Sequence, residues 1–110
     1  MKELSFQESL FLMVILRLKE NAYGVQIKKE IEKKTRKKIT YGTLYSSLDQ
    51  LHRKGLVDRN IGEPTKERGG RRKIYYRVSV RGKIALKTAY ELQSVLWKDA
   101  PDLLLENMPS

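Results

Sequence analysis

Apolar positions recur along this chain at helical spacing, except over one later stretch where they alternate. The run Leu10-Phe11-Leu12-Met13-Val14-Ile15-Leu16 is apolar almost all round, which predicts a helix buried on several sides. Ser5-Phe6-Gln7-Glu8 in front of it has the form of a capping box. Such a helix is either the centre of the core or carries a face that a second subunit covers, and the pattern leaves both open. A second helix is expected to open at Asn21-Ala22. Its apolar positions Ala22, Val25, Ile27 and Ile31 lie near one helical period, with Lys28, Lys29, Lys33 and Lys34 elsewhere around it. Gly24 is a poor helix former and permits close packing on a neighbour. Arg36-Lys37-Lys38 suits a helix C-terminus and makes a loop cluster able to touch phosphate.

Thr40 is the expected N-cap of a third helix. Leu44, Leu48 and Leu51 repeat at i, i+4 and i+7 and form a core stripe. The opposite face holds Gly42, Thr43, Ser46, Asp49, Gln50 and Arg53, all small or hydrogen-bonding. Tyr45 falls about 100° from the stripe. It is either half-buried with its hydroxyl outward or a rim residue covering the leucines. Gly55 suits the left-handed position that ends a helix. Leu56 to Ile61 then reads as a weakly alternating strand, and Gly62 to Gly70 is rich in turn residues. Arg72 to Val78 is the returning strand, with Ile74, Tyr76 and Val78 on one face and Lys73, Tyr75 and Arg77 on the other.

Ser79 is positioned to cap a last helix. The apolar stripe of that helix is Ala85, Ala89, Leu92 and Leu96, flanked by Ile84, Leu86 and Val95, and Pro101 is expected to stop or kink it. The pattern is mainly α with a small β-hairpin. It predicts a winged helix-turn-helix with an added C-terminal dimerisation helix. Residues 1–80 would form the DNA-binding unit and 81–110 the dimerisation helix and tail.

Charge sharpens this reading. The 110 residues carry a net charge of +10, as expected for a single domain with a polyanion partner. The excess is local: residues 26–38 carry seven basic and two acidic side chains, and residues 52–83 carry eleven basic and three acidic ones. The C-terminal end is mildly acidic. No cysteine is present, so disulfides and thiolate metal sites are excluded. Leu10 to Leu16 is far too short to span a membrane, and the N-terminus lacks the order of a signal peptide. A cytoplasmic location without membrane attachment is expected.

Several segments together resemble the PadR family of bacterial and archaeal transcriptional regulators. They are Ala22-Tyr23-Gly24-Val25-Gln26-Ile27, Gly42-Thr43-Leu44-Tyr45 with Leu48 and Leu51, Gly55-Leu56-Val57, Gly70-Arg71-Arg72-Lys73 with Tyr75-Tyr76, and Gly82. The resemblance runs from Leu10 to Leu86, and its order and spacing are more specific than any one piece. It implies a winged-helix dimer that binds an operator and commonly represses nearby genes for detoxification or efflux. The last helix is short and followed by about ten residues, which resembles the family's compact subfamily. His52 stands where many relatives carry an acidic residue, and Ser79 where a Thr is usual.

The residues expected to meet DNA are Tyr41, Gly42, Thr43, Tyr45, Ser46, Gln50 and Arg53 on the recognition helix. Lys66, Arg68, Arg71, Arg72 and Lys73 are expected to do so on the wing. Gln50 suits adenine and Arg53 suits guanine, each pair discriminating by roughly 1–3 kcal/mol. Thr43 and Ser46 reach phosphate or a base edge, and Gly42 lets a phosphate approach the helix N-terminus. Asp49 fits poorly beside phosphates and is expected to pair with Arg53 at i+4. Trp97, the only Trp, together with Leu92 and Leu96 marks a dimer interface or a cavity for a flat aromatic effector.

His52 is the only His, so no triad or His-based metal pair can form. Gly69-Gly70-Arg71 is not a phosphate-binding loop of the nucleotide-hydrolase type. No enzyme activity, metal or cofactor is expected. Double-stranded DNA and a second copy of the chain are the expected partners. The function expected is a sequence-specific regulator, a repressor on a palindromic operator. The alternative is an architectural or non-specific nucleic-acid binder.

Overall fold

The structure, a computed structural model, describes residues 3–62 and 73–98. Helix α1 spans Phe6–Leu18, α2 Gly24–Thr35 and α3 Tyr41–Arg53. Strands β1 (Val57–Ile61) and β2 (Ile74–Val78) form an antiparallel pair, and α4 spans Val80–Lys98. This is a winged helix, mostly helical with a two-stranded sheet.

The capping box of α1 forms as its sequence dictates. The Glu8 N–H donates to Ser5 Oγ at 3.1 Å, and the Ser5 N–H donates back to Glu8 Oε1 at 2.9 Å. Phe11, Leu12, Val14 and Ile15 of α1 are buried at the centre of the core, among Ile27, Ile31, Leu44, Leu48, Leu51, Val57, Tyr76 and Val78. Met13 and Leu16 on the other side of α1 remain exposed.

The second helix begins at Gly24, not at Asn21-Ala22. Lys19–Asn21 form a single 3-10 turn, and Tyr23 is extended (φ −120°, ψ 164°). The cause is tertiary. The Tyr76 N–H donates to the Ala22 carbonyl at 2.8 Å, and Tyr23 forms an isolated antiparallel bridge with Tyr75, so Ala22-Tyr23 runs extended beside the two-stranded wing. Ala22 is buried there, as its apolar character requires.

At the start of α4 the Gly82 N–H donates to Ser79 Oγ at 3.0 Å, and the Ser79 hydroxyl donates to the Gly55 carbonyl at 2.6 Å. One side chain thus caps α4 and ties it to the end of α3. Gly82 and Ala85 are buried against the core, whereas Ile84, Leu92, Val95, Leu96 and Trp97 are exposed. Pro101 and the tail lie outside the described residues.

Candidate nucleic-acid interface

Helix α3 is fixed at both ends and along its inner side. Thr40 is extended, and its Oγ1 accepts the Thr43 N–H at 3.0 Å, which closes the first turn. Leu44, Leu48 and Leu51 are buried as one stripe. At the far end Gly55 adopts φ +74°, and the Leu56 N–H returns to the Leu51 carbonyl at 2.9 Å, so the chain turns into β1.

Helix α1 adds a brace that sequence periodicity does not reveal. Gln7 Nε2 donates to Ser47 Oγ at 2.8 Å, and the Lys54 ammonium pairs with the second oxygen of Glu8. Burial alone would raise the Glu8 pKa. The bonds from Lys54 and from the Ser5 backbone outweigh it and hold the carboxyl below its ordinary value.

The outer face of α3 is as the spacing predicts. Gly42, Thr43, Ser46, Gln50 and Arg53 are all exposed, and no large aliphatic side chain interrupts them. Tyr41, 51% exposed, stacks on Tyr45 with ring centroids 6.3 Å apart and planes at 16°. The Lys28 ammonium of α2 stands 5.1 Å from the centre of the Tyr41 ring. Tyr45 is half-buried, at 42% exposed, but its hydroxyl ends over Gly24 of α2 and not outward as the first expectation had it.

Asp49 does not pair with Arg53. Its Oδ1 accepts from Arg59 Nη1 of β1 at 3.3 Å. Arg59 lies opposite Tyr76 in the ladder, and the buried Tyr76 faces the core, so the same side of β1 carries the guanidinium to α3. Both groups are well exposed, so the pair is worth at most about 1 kcal/mol. Its effect is to leave Arg53 without this carboxylate.

Of the wing residues, Lys66, Arg68, Arg71 and Arg72 lie outside the described residues. Lys73 stands at the wing's base, with its ammonium 4.3 Å over the Tyr23 ring and its carbonyl accepting the Gly62 N–H at 2.7 Å. Tyr23 and Tyr75 meet edge to face at 5.5 Å. A Cβ on Gly62 would stand 2.6 Å from Tyr75 Cε1, so glycine is what lets the strand pass this ring. Tyr23, Tyr75 and Gly62 thus build the wing's base around Lys73.

Leu92, Leu96 and Trp97 lie close together late on α4, all exposed. Among the described residues no group of three or more His, Cys, Asp or Glu could hold a metal ion, and no helix is long and apolar enough to cross a membrane.

The fold is shared with known proteins. The model of the PadR-like family of transcriptional regulators matches residues 12–88. The chain belongs to that family. It is similar to a transcriptional regulator from Clostridium thermocellum at 29% identity, covering 83% of this chain and 85% of that one with a TM-score of 0.66. RosR from H. salinarum is 26% identical, with 92% and 84% covered and a TM-score of 0.71. A PadR-like regulator from Bacillus cereus strain ATCC 14579 shares the fold at 18% identity, with 92% and 93% covered and a TM-score of 0.72. No curated protein matches the chain. As a PadR-like regulator of transcription, the chain has DNA as its partner.

Proposed function

We propose that this PadR-like protein is a repressor that binds a palindromic operator as a homodimer. The observation that carries the reading is the state of α3. Three sides are tied down by α1, α2 and the core, while the fourth exposes only Gly42, Thr43, Ser46, Asp49, Gln50 and Arg53 between its ends. A rigid helix with a small, hydrogen-bonding outer face can approach base edges in a major groove.

In this reading Gln50 and Arg53 read bases, Thr43, Ser46 and the α3 N-terminus take phosphates, and Tyr41 and Tyr45 border the groove. Lys66, Arg68, Arg71 and Arg72 reach the flanking backbone or minor groove from the wing, with Lys73 at its base. Residues 1–80 do the DNA binding, while 81–110 supply the dimerisation helix and tail. The exposed apolar residues of α4, together with Met13 and Leu16 of α1, support a dimer built on those two helices. Trp97 would line the interface and accept a flat aromatic effector there. A regulator of transcription works beside the chromosome, which places it in the cytoplasm.

Selection of duplexes from a random library by the purified protein tests this. The expected product is a palindrome whose half-sites are centred about 34 Å apart. With about four phosphates neutralised per subunit, affinity should fall with salt at a log–log slope near −7. Equal affinity for selected and random duplex at fixed salt would replace the operator-specific repressor with an architectural binder.

A further inference from the structure

The basic side of α2 is not used by the contacts described above. Gly24, Lys28 and Glu32 mark the side of α2 that meets α3. Gly24 lies under Tyr45, Lys28 beside Tyr41, and Glu32 accepts both Lys28 Nζ at 3.1 Å and the Ile39 N–H at 2.9 Å. That backbone N–H and the Lys28 ammonium hold the Glu32 carboxyl below its ordinary pKa, so Glu32 stays charged and engaged. At about 100° per residue, Lys29, Lys33 and Arg36 come next around the helix. They sit on the side away from the core. Lys28, on the neighbouring side of α2, stands 5.1 Å from the exposed Tyr41 ring in the first turn of α3, so this basic side of α2 adjoins that end of α3.

Lys29, Lys33 and Arg36 are exposed, and none of them joins an ion pair among the described residues. Glu30, the other acid of α2, forms none with them. Arg36 is held where it stands: it is the left-handed C-cap, and its N–H donates to the Glu32 carbonyl at 2.8 Å. Thr35 Oγ1 bonds the Ile31 carbonyl and accepts the Lys37 N–H, which fixes the turn that follows. Lys29 and Lys33 are like charges at i and i+4, an arrangement that opposes the helix unless an anion lies across it.

We propose that Lys29, Lys33 and Arg36 form a third phosphate-contacting strip, separate from α3 and the wing. It would take the DNA backbone beside the groove that α3 enters. The inference rests on the DNA-binding reading above and extends its footprint onto α2. The strip adds affinity without sequence preference, because phosphates carry no base identity.

The salt dependence of binding to a random-sequence duplex of about 30 bp tests it, since each lost phosphate contact lowers the log–log slope by about 0.9. K29Q/K33Q/R36Q should lower the slope by about 2.7, K29Q and K33Q singly by about 0.9 each, and K29R/K33R/R36K not at all. Glutamine matches lysine in helix propensity, so α2 should persist, and circular dichroism checks this. If these cations serve only the C-terminal end of α2, the triple variant melts earlier while its slope equals that of the unaltered protein. That result overturns the strip and leaves the DNA reading intact. If the unaltered protein itself ignores the duplex in dilute buffer, the DNA reading falls, and the strip falls with it.

Discussion

The Tyr45 phenol lies directly over Gly24, with its Cζ 2.9 Å from where a Cβ on Gly24 would stand. Glycine in the first turn of α2 is therefore the partner of an aromatic ring on α3, four residues after Tyr41 on which that ring stacks. Gly24→Ala brings two opposed effects. Alanine favours the helix by up to about 1 kcal/mol, while crowding of the ring costs about 1–3 kcal/mol. The obstructing atoms are the far end of a half-exposed side chain, which can swing outward. The expected result in urea melts is a loss of about 1 kcal/mol or less, removed in the Gly24→Ala/Tyr45→Ala double variant relative to Tyr45→Ala.

Gly82 meets a harder neighbour. A Cβ there would collide with the Leu56 carbonyl oxygen and stand 2.8 Å from Val78 Cγ1. That carbonyl also accepts the Ser79 N–H at 3.0 Å, so it belongs to the joint between α3, β2 and α4 and cannot give way. Gly82→Ala should cost about 3 kcal/mol, the upper end of overpacking. Equal destabilisation by Gly24→Ala and Gly82→Ala in the same denaturant series would contradict this ranking.

What could be read without the structure was local. The capping box at Ser5, the Thr40 cap, the leucine stripe of α3 and the left-handed Gly55 each depend on residues within one or two turns. Their physics is complete in the sequence. The outer face of α3 follows from the same periodicity, so most of that helix was legible. The misses were all long-range. Ala22-Tyr23 looked helical because nothing local shows that β2 would hold it extended. Asp49 looked like a partner for Arg53 because the packing of β1 on α3 was needed to bring Arg59 within reach. The Gln7–Ser47 and Glu8–Lys54 brace joins residues about forty positions apart, and no spacing rule reaches so far.

Glu8 gives a pH test of that brace. Its folded pKa lies below the ordinary value of 4.5, so its contribution is full at pH values above 4.5 and fades as pH falls through the lower folded value. Glu8→Gln keeps the capping box, because glutamine also returns to the N-cap N–H. It removes only the carboxylate charge that faces Lys54. The variant should lose about 0.5–1 kcal/mol at neutral pH, a modest figure because the ammonium is part-exposed and screened. The difference between variant and unaltered protein should shrink as pH falls below 4.5 and be lost once pH has passed the lowered folded value. A gap that persists unchanged at low pH would assign the brace to packing rather than charge.

The outer face of α3 and the wing should separate discrimination from affinity. Gln50→Ala and Arg53→Ala should each reduce the preference for selected over random duplex by about 1–3 kcal/mol and hardly alter the salt slope. Arg71→Ala/Arg72→Ala should do the reverse: weaker binding to every duplex, with a slope smaller by about 1.8. Competition binding at several salt concentrations resolves both quantities. A discrimination loss on the wing side and a slope change on the helix side would invert the assignment.

The apolar face of α4 bears on the oligomeric state. Leu96 is 62% exposed and Trp97 58% exposed in the single chain, next to exposed Leu92 and Val95. An apolar patch of this kind on a basic regulator is more favourably covered than left in water, at roughly 25 cal/mol for each Å² removed. Two copies can cover it isologously, each α4 lying on the same surface of its partner. Leu92→Asp/Leu96→Asp places carboxylates where that contact would form, and should yield a monomer by sedimentation at micromolar concentration. Because both residues are exposed in the isolated chain, the fold should survive, with helical content by circular dichroism unchanged. Duplex affinity should fall sharply, since the second half-site is no longer tethered. Trp97 reports on the same event: its emission should shift to the blue on assembly of the unaltered protein and stay red in the double variant. A monomeric unaltered protein with red-shifted Trp97 emission would end the case for α4 as the dimer helix.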